Sequence, residues 1–141
     1  MLNTIIQATE NFCIHQIRVP YEINDNISNT KTFITYIDIK MQEETKSYRV
    51  YLGICKNFAQ RISTVFLEED ESDEETLMDM TLETVNLIVG SAKVISEESK
   101  NPFVIKTPHF EKIGVFDFPY DEAKLVQIEN DKMIIAIKEL S

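Results

Sequence analysis

The chain has 141 residues and 43% hydrophobic content, which suits one soluble domain, residues 1–141, built around one core. Its 24 acids against 14 bases give a net charge of −10, a field that disfavours nucleic acid and anionic membrane and suits a basic or metal-loaded protein surface. Three glycines exclude glycine-rich phosphate loops, and the isolated Cys13, Cys55, His15 and His109 lack metal-ligand spacing and read as reduced, partly buried thiols and lone imidazoles. The start, MLNTIIQATENF, has neither a basic leader nor a long apolar run, and no stretch reaches the roughly 18 apolar residues of a membrane span, so the expected place is the cytoplasm.

Residues 2–14 carry Leu2, Ile5, Ile6, Thr9 and Phe12 at helical spacing, and Pro20 prevents continuation. VPYEINDNISNTK reads as irregular or short extended chain. TFITYIDIKM, 32–41, alternates like a strand, EETK makes a turn, and SYRVYLGIC, 47–55, returns as the second arm of an antiparallel hairpin. NFAQRISTVFL, 57–67, puts Phe58, Ile62, Val65 and Phe66 on one helical face. The acidic run LEEDESDEET, 67–76, is a solvated linker or a steering patch for a partner. A longer helix follows over about 73–97, with Ser72 and Glu75 as a capping box and Pro102 forcing its end. Strand-like segments close the chain: FVIKT, IGVFDFP at 113–119, and two strands turning around Asn130-Asp131. Runs of helices and strands without strict alternation predict an α+β fold, a mostly antiparallel sheet packed with two or three helices.

The long helix contains TLETVNLIVGS, an apolar stretch interrupted by a carboxylate, a carboxamide and a glycine. At about 100° per residue, with Asp79 at zero, Glu83 falls near +40°, Asn86 near −20° and Gly90 near +20°. Lys93 and Glu97 extend the stripe, and Thr81, Thr84, Ile88 and Ile95 fall opposite. A wet side is normal for a core-packed helix. Here the polar face is narrow, with Leu82, Val89 and Val94 close beside it as an apolar rim. Gly90 costs about 1 kcal/mol against alanine in a helix interior, and on a solvent face its use is to let a partner approach closely. A carboxamide can hold and aim a water but cannot serve as a general base. That disfavours acyl transfer and glycoside hydrolysis and suits phosphoryl transfer to water, where positioning does most of the work.

Asp79-x-x-x-Glu83-x-x-Asn86, with Pro108 standing 22 residues after the asparagine, resembles the signature of the CheC/CheX/FliY chemotaxis phosphatases. ETVNLIVGSAKV, with Gly90 in place, is similar to that family's E-x-x-N-x-x-x-G stretch, and IKTPHF to the segment that follows it. The element order also fits the CheX/CheC-like fold over most of the chain. A second E-x-x-N at Glu98 and Asn101 is discounted because Pro102 ends the helix. The first helix and the helix at 57–67 carry no E-x-x-N, so the chain resembles the single-site, CheX-type members. The family's glycine-led entry to the first central helix is absent: KSYRVYLGIC has its glycine late.

The resemblance implies a phosphatase acting on the aspartyl phosphate of a phosphorylated CheY-type receiver domain in bacterial chemotaxis. Glu83 would pair with the partner's lysine, and Asn86 would hold the attacking water. Gly90 would clear space for the partner, Pro108 would shape the neighbouring loop, and Asp79 would be a helix-dipole acid or a docking contact. No cofactor of its own is implied; Mg2+ would belong to the receiver. The family's single-site form implies a homodimer built through the sheet. The competing readings are a docking module of the same fold, binding a receiver or a flagellar switch component without hydrolysis, and a structural homodimer whose motif is coincidental. Burial of the Glu83–Asn86 stripe would establish the last.

Overall fold

The structure, a computed structural model, describes residues 1–27 and 29–140. Ser28, within the segment read as irregular, lies outside the described residues. No helix among the described residues is long and apolar enough to cross a membrane.

The chain opens with α1 (Leu2–Phe12), which passes into one π-helical turn at Cys13–Ile17 rather than stopping near residue 14. Leu2, Ile5, Ala8, Thr9 and Phe12 are its buried stripe, and Ile17 at the end of the π turn extends it. The turn closes at Arg18, which adopts φ 62° and donates its backbone N–H to the Cys13 carbonyl at 2.7 Å. A short β1 (Glu22–Asn24) precedes the hairpin of β2 (Lys31–Met41) and β3 (Ser47–Cys55), whose predicted pairing holds in register from Thr32↔Cys55 to Lys40↔Ser47. Then come α2 (Lys56–Leu67), α3 (Glu74–Glu98), β4 (Phe103–Ile105), β5 (His109–Val115), β6 (Glu122–Ile128) and β7 (Asp131–Glu139).

Among the described residues seven strands form one sheet in which every pairing is antiparallel. Its order is β1-β6-β7-β3-β2, with β4 and β5 sharing the outer edge of β2. The α+β reading is therefore correct. The period-2 geometry of strands sorts the sheet's side chains. Phe33, Ile37 and Ile39 of β2, Val50, Leu52 and Ile54 of β3, and Met133, Ile135 and Ile137 of β7 join the buried faces of the three helices in the main core. The alternate residues Ile34, Tyr51, Leu125, Ile134 and Ala136 form a smaller cluster on the other face.

That second cluster explains one departure from the sequence reading. The strand expected at 113–119 lies earlier, at His109–Val115, and FDFP is not strand. Phe116 and Phe118 instead pack on the helix-free face, where Phe118 stacks on Tyr51 with ring centroids 5.1 Å apart. Beside them Arg49 makes a two-pronged bond to Asp38, at 2.8 and 3.0 Å, and lies over the Tyr36 ring. The bond to Asp38 raises the guanidinium's already high pKa.

The final hairpin also differs by one residue. Ile128 pairs with Asp131, so the turn residues are Glu129 and Asn130, not Asn130 and Asp131. Glu129 takes φ 55°. The Gln127 side chain donates to its carbonyl at 2.9 Å, and Arg61 of α2 pairs with both Glu129 and Asp131.

Candidate functional site on the third helix

The α3 helix is positioned from its first residue. Its N-cap is Asp73, not Ser72: the Asp73 carboxylate accepts the Thr76 backbone N–H at 2.8 Å. This bond holds the Asp73 carboxyl below the usual carboxylate range. Ser72 serves the preceding loop instead. Its hydroxyl bonds that of Ser63, and its backbone N–H donates to Gln60 at 2.8 Å. Gln60 and Thr64 also hold the Glu69 carbonyl, so the acidic linker is tied to α2 at its middle.

From this cap α3 runs over β2 and β4, with α1 and α2 packed beside it. Leu77, Val85, Ile88, Val89 and Ala92 are fully or almost fully buried. Thr81 and Thr84 are buried too, and each returns its hydroxyl proton to a carbonyl of its own helix, Met78 at 2.8 Å and Met80 at 2.7 Å. A threonine can therefore sit in this apolar layer with no orphaned polar atom.

Opposite that layer, Asp79, Glu83, Asn86 and Glu97 are all exposed, and Gly90 and Lys93 are half-buried. The structure brings the predicted stripe together on one outward face. Among the described residues, no hydrogen bond or ion pair engages the side chains of Asp79, Glu83 or Asn86. Burial of the stripe, the condition for a purely structural role, is not met. Gly90 has no packing reason within the chain: apart from the helix's own backbone, an added Cβ would meet nothing within 4 Å.

The apolar rim differs from the one expected. Val89 is wholly buried and contributes none of it. Leu82 is half-buried, and the exposed rim residues are Leu87 and Val94, at 38% and 54% exposure. Both lie on the Glu83 side of the stripe, two helical turns apart. The sequence reading missed Leu87 as a rim residue.

Pro108 stands between β4 and β5, where the outer edge of the sheet is interrupted. Lys106 still donates to the Asp38 carbonyl at 2.9 Å, and ladder pairing resumes at His109↔Tyr36. A proline has no N–H for a ladder, so it fits this break. Asn101 lies beyond the end of α3, so the second E-x-x-N is not on one helix. Among the described residues no group of three or more His, Cys, Asp or Glu side chains is arranged to hold a metal.

No family model matches this chain, and no curated protein does. Solved structures do. The chemotaxis protein CheX from Vibrio vulnificus aligns with a TM-score of 0.81 at 17% identity, over 98% of this chain and 95% of that one. A CheC-like superfamily protein from Shewanella sp. PV-4 aligns with a TM-score of 0.75 at 16% identity, over 99% and 97%. CheX in a CheX-CheY-BeF3-Mg2+ complex from Borrelia burgdorferi aligns with a TM-score of 0.66 at 12% identity, over 97% of each chain. This chain has the fold of the CheX and CheC-like chemotaxis proteins.

Proposed function

We propose that this protein is a CheX-type phosphatase of the CheC/CheX/FliY family, which hydrolyses the aspartyl phosphate of a CheY-type receiver in the bacterial cytoplasm. The observation that carries the reading is the unengaged, outward-facing set of Glu83 and Asn86 on α3, within a fold whose solved examples include a CheX–CheY complex. A carboxylate and a carboxamide three residues apart project from the same side of a helix and can enter one partner site together.

In this reading Glu83 pairs with a lysine of the receiver and fixes the docking register. Asn86 reaches the phosphoryl group and holds a water in line with the phosphorus. The water oxygen forms the new bond to phosphorus as the bond to the aspartyl oxygen breaks. Inorganic phosphate leaves, the receiver's carboxylate is restored, and the proton lost by the water passes to solvent or phosphate. Asn86 takes no proton; it orders the nucleophile, which contributes several kcal/mol when the geometry is right. The charge on the phosphoryl oxygens is met by the receiver's own Mg2+ and lysine, so the chain needs no cofactor of its own. Gly90 leaves space for the partner backbone, Asp79 stands as a docking acid at the near end of the stripe, and Pro108 shapes the edge strand over which α3 lies.

In this reading a homodimer forms through the sheet, supported by the family resemblance and by a sheet face on which no helix packs among the described residues. Sedimentation of the purified protein tests this part: a mass of two chains is expected, and a monomer at all concentrations contradicts it. For the function, phosphate release from a phosphorylated CheY-type receiver is measured with substoichiometric amounts of this protein. Multiple turnovers are expected; release no faster than the receiver's own decay contradicts the proposal.

A further inference from the structure

Beside the Glu83–Asn86 stripe runs an open groove between α1 and α3, with a volume of about 440 Å3. Phe12 and Leu87 give it an apolar floor and wall; Asn11, His15, Gln16 and Ser91 line the rest. Its α3 residues flank the stripe on the Glu83 side: Leu87 stands one turn after Glu83, and Ser91 one turn after Leu87. A body seated over Glu83 and Gly90 therefore borders the mouth of the groove. The α1 side is built by Ala8, Asn11 and Phe12, and the π turn lengthens it by carrying His15 and Gln16 past the last α-helical residue, Phe12. The Arg18 side chain braces that turn by donating to the His15 carbonyl at 3.1 Å.

The charges select the occupant. The lining holds no Asp, Glu, Lys or Arg, whereas the adjacent stripe carries Asp79, Glu83 and Glu97. A second copy of this chain would bring the same acids to the same place, like charge against like. A matching partner presents a basic group to Glu83 and, next to it, an uncharged apolar group to the groove. We infer that the groove takes an apolar anchor side chain of the receiver, from the surface element beside the basic residue that Glu83 engages. This rests on the function proposed above and adds a second contact to it. The anchor sets affinity and register, and Asn86 supplies the chemistry. An apolar anchor in a lined pocket next to a polar pairing is how interfaces concentrate their binding energy.

The test uses the full chain with Gln16→Trp, which fills the groove from an exposed position, and Leu87→Ala, which removes its α3 wall. Steady-state dephosphorylation of a CheY-type receiver is measured for both and for wild type, with circular dichroism to confirm folding. The expected result is a KM raised about tenfold with kcat held within about twofold, the signature of lost uniform binding. Unchanged KM in both variants overturns the groove contact while leaving the phosphatase reading intact, because wild type remains active in the same assay. A fall in kcat at unchanged KM also overturns it, by assigning these residues to the chemical step. A wild type that neither binds nor dephosphorylates the receiver removes the function and this inference together.

Discussion

Asn86 and Gly90 stand one turn apart on the outward face of α3, and the side chain that Gly90 lacks would meet no neighbouring atom within 4 Å. The fold gains nothing from this glycine, and its helix loses stability. Gly90→Ala is therefore expected to raise unfolding stability by about 1 kcal/mol in urea titrations. Gly90→Leu is expected to fold equally well and to dephosphorylate a CheY-type receiver much more slowly. A destabilised Gly90→Ala, or a fully active Gly90→Leu, contradicts the role given to this position.

The helix bearing the site begins at the bond from Thr76 N–H to Asp73. Asp73→Ala lowers the thermal midpoint, whereas Asp73→Asn, which keeps an acceptor, lowers it less. The pH dependence follows from the depressed carboxyl. Its contribution is complete above the ordinary aspartate pKa and is lost as pH falls through the lower, folded value. Wild type is thus expected to lose more stability than Asp73→Asn when acidified through that range. Parallel acid profiles for the two proteins would contradict the cap.

Cys13, the first residue of the π turn, is wholly buried, and burial, with Glu10 nearby, pushes its thiol up from 9.0 to about 11. The folded protein holds this proton after the unfolded chain has released it. The contribution is fully present below pH 9 and is lost as pH rises from about 9 to about 11. Against Cys13→Ala, wild type is expected to show the steeper decline in that window. In native protein at pH 8 the thiol is expected to resist alkylation and to react only on unfolding. Rapid native alkylation of Cys13 would contradict its burial.

Arg61 anchors α2 to the start of β7 through Asp131, with Nη2 2.8 Å from the carboxylate and both side chains mostly covered. Arg61→Ala is expected to cost about 1–2 kcal/mol in denaturant unfolding, since it strands a partly buried carboxylate beside a residue at φ 55°. Receiver dephosphorylation is expected to be unchanged at temperatures where the variant stays folded. A cost under about 0.3 kcal/mol would mean that the pair is an incidental surface contact.

The sequence is most legible where one period runs uninterrupted. The β2–β3 hairpin and all three helices follow directly from their apolar spacing. Strand β5 does not, because its pairing with β2 shifts between Ile34 and Thr35: Lys112 faces Ile34, Phe110 faces Thr35, and Glu111 is left over. A bulge of that kind breaks the alternation on which a strand is recognised. FDFP looks like a strand because its aromatics are buried, but they cover the second sheet face. The two-residue turn between Ile128 and Asp131 requires the positive φ that Glu129 takes, which its residue type does not announce. On α3, helical spacing places Asp79, Glu83, Asn86 and Gly90 on one face. It cannot say which flank the sheet covers, and so it exchanges Val89 for Leu87 in the rim. The roles proposed for Glu83 and Asn86 rest on motif resemblance, since among the described residues no hydrogen bond or ion pair of their side chains marks a role.

The most direct measurement compares wild type with Asn86→Ala on one CheY-type receiver. Binding is read on the Mg2+- and BeF3−-loaded receiver, and phosphate loss on the phosphorylated one. The expected result is binding within about threefold of wild type and a dephosphorylation rate lower by at least about a hundredfold, because the variant docks but cannot order the water. An Asn86→Ala variant as active as wild type would contradict water positioning by this residue. A wild type that binds without accelerating phosphate loss would make the protein a docking module of the same fold.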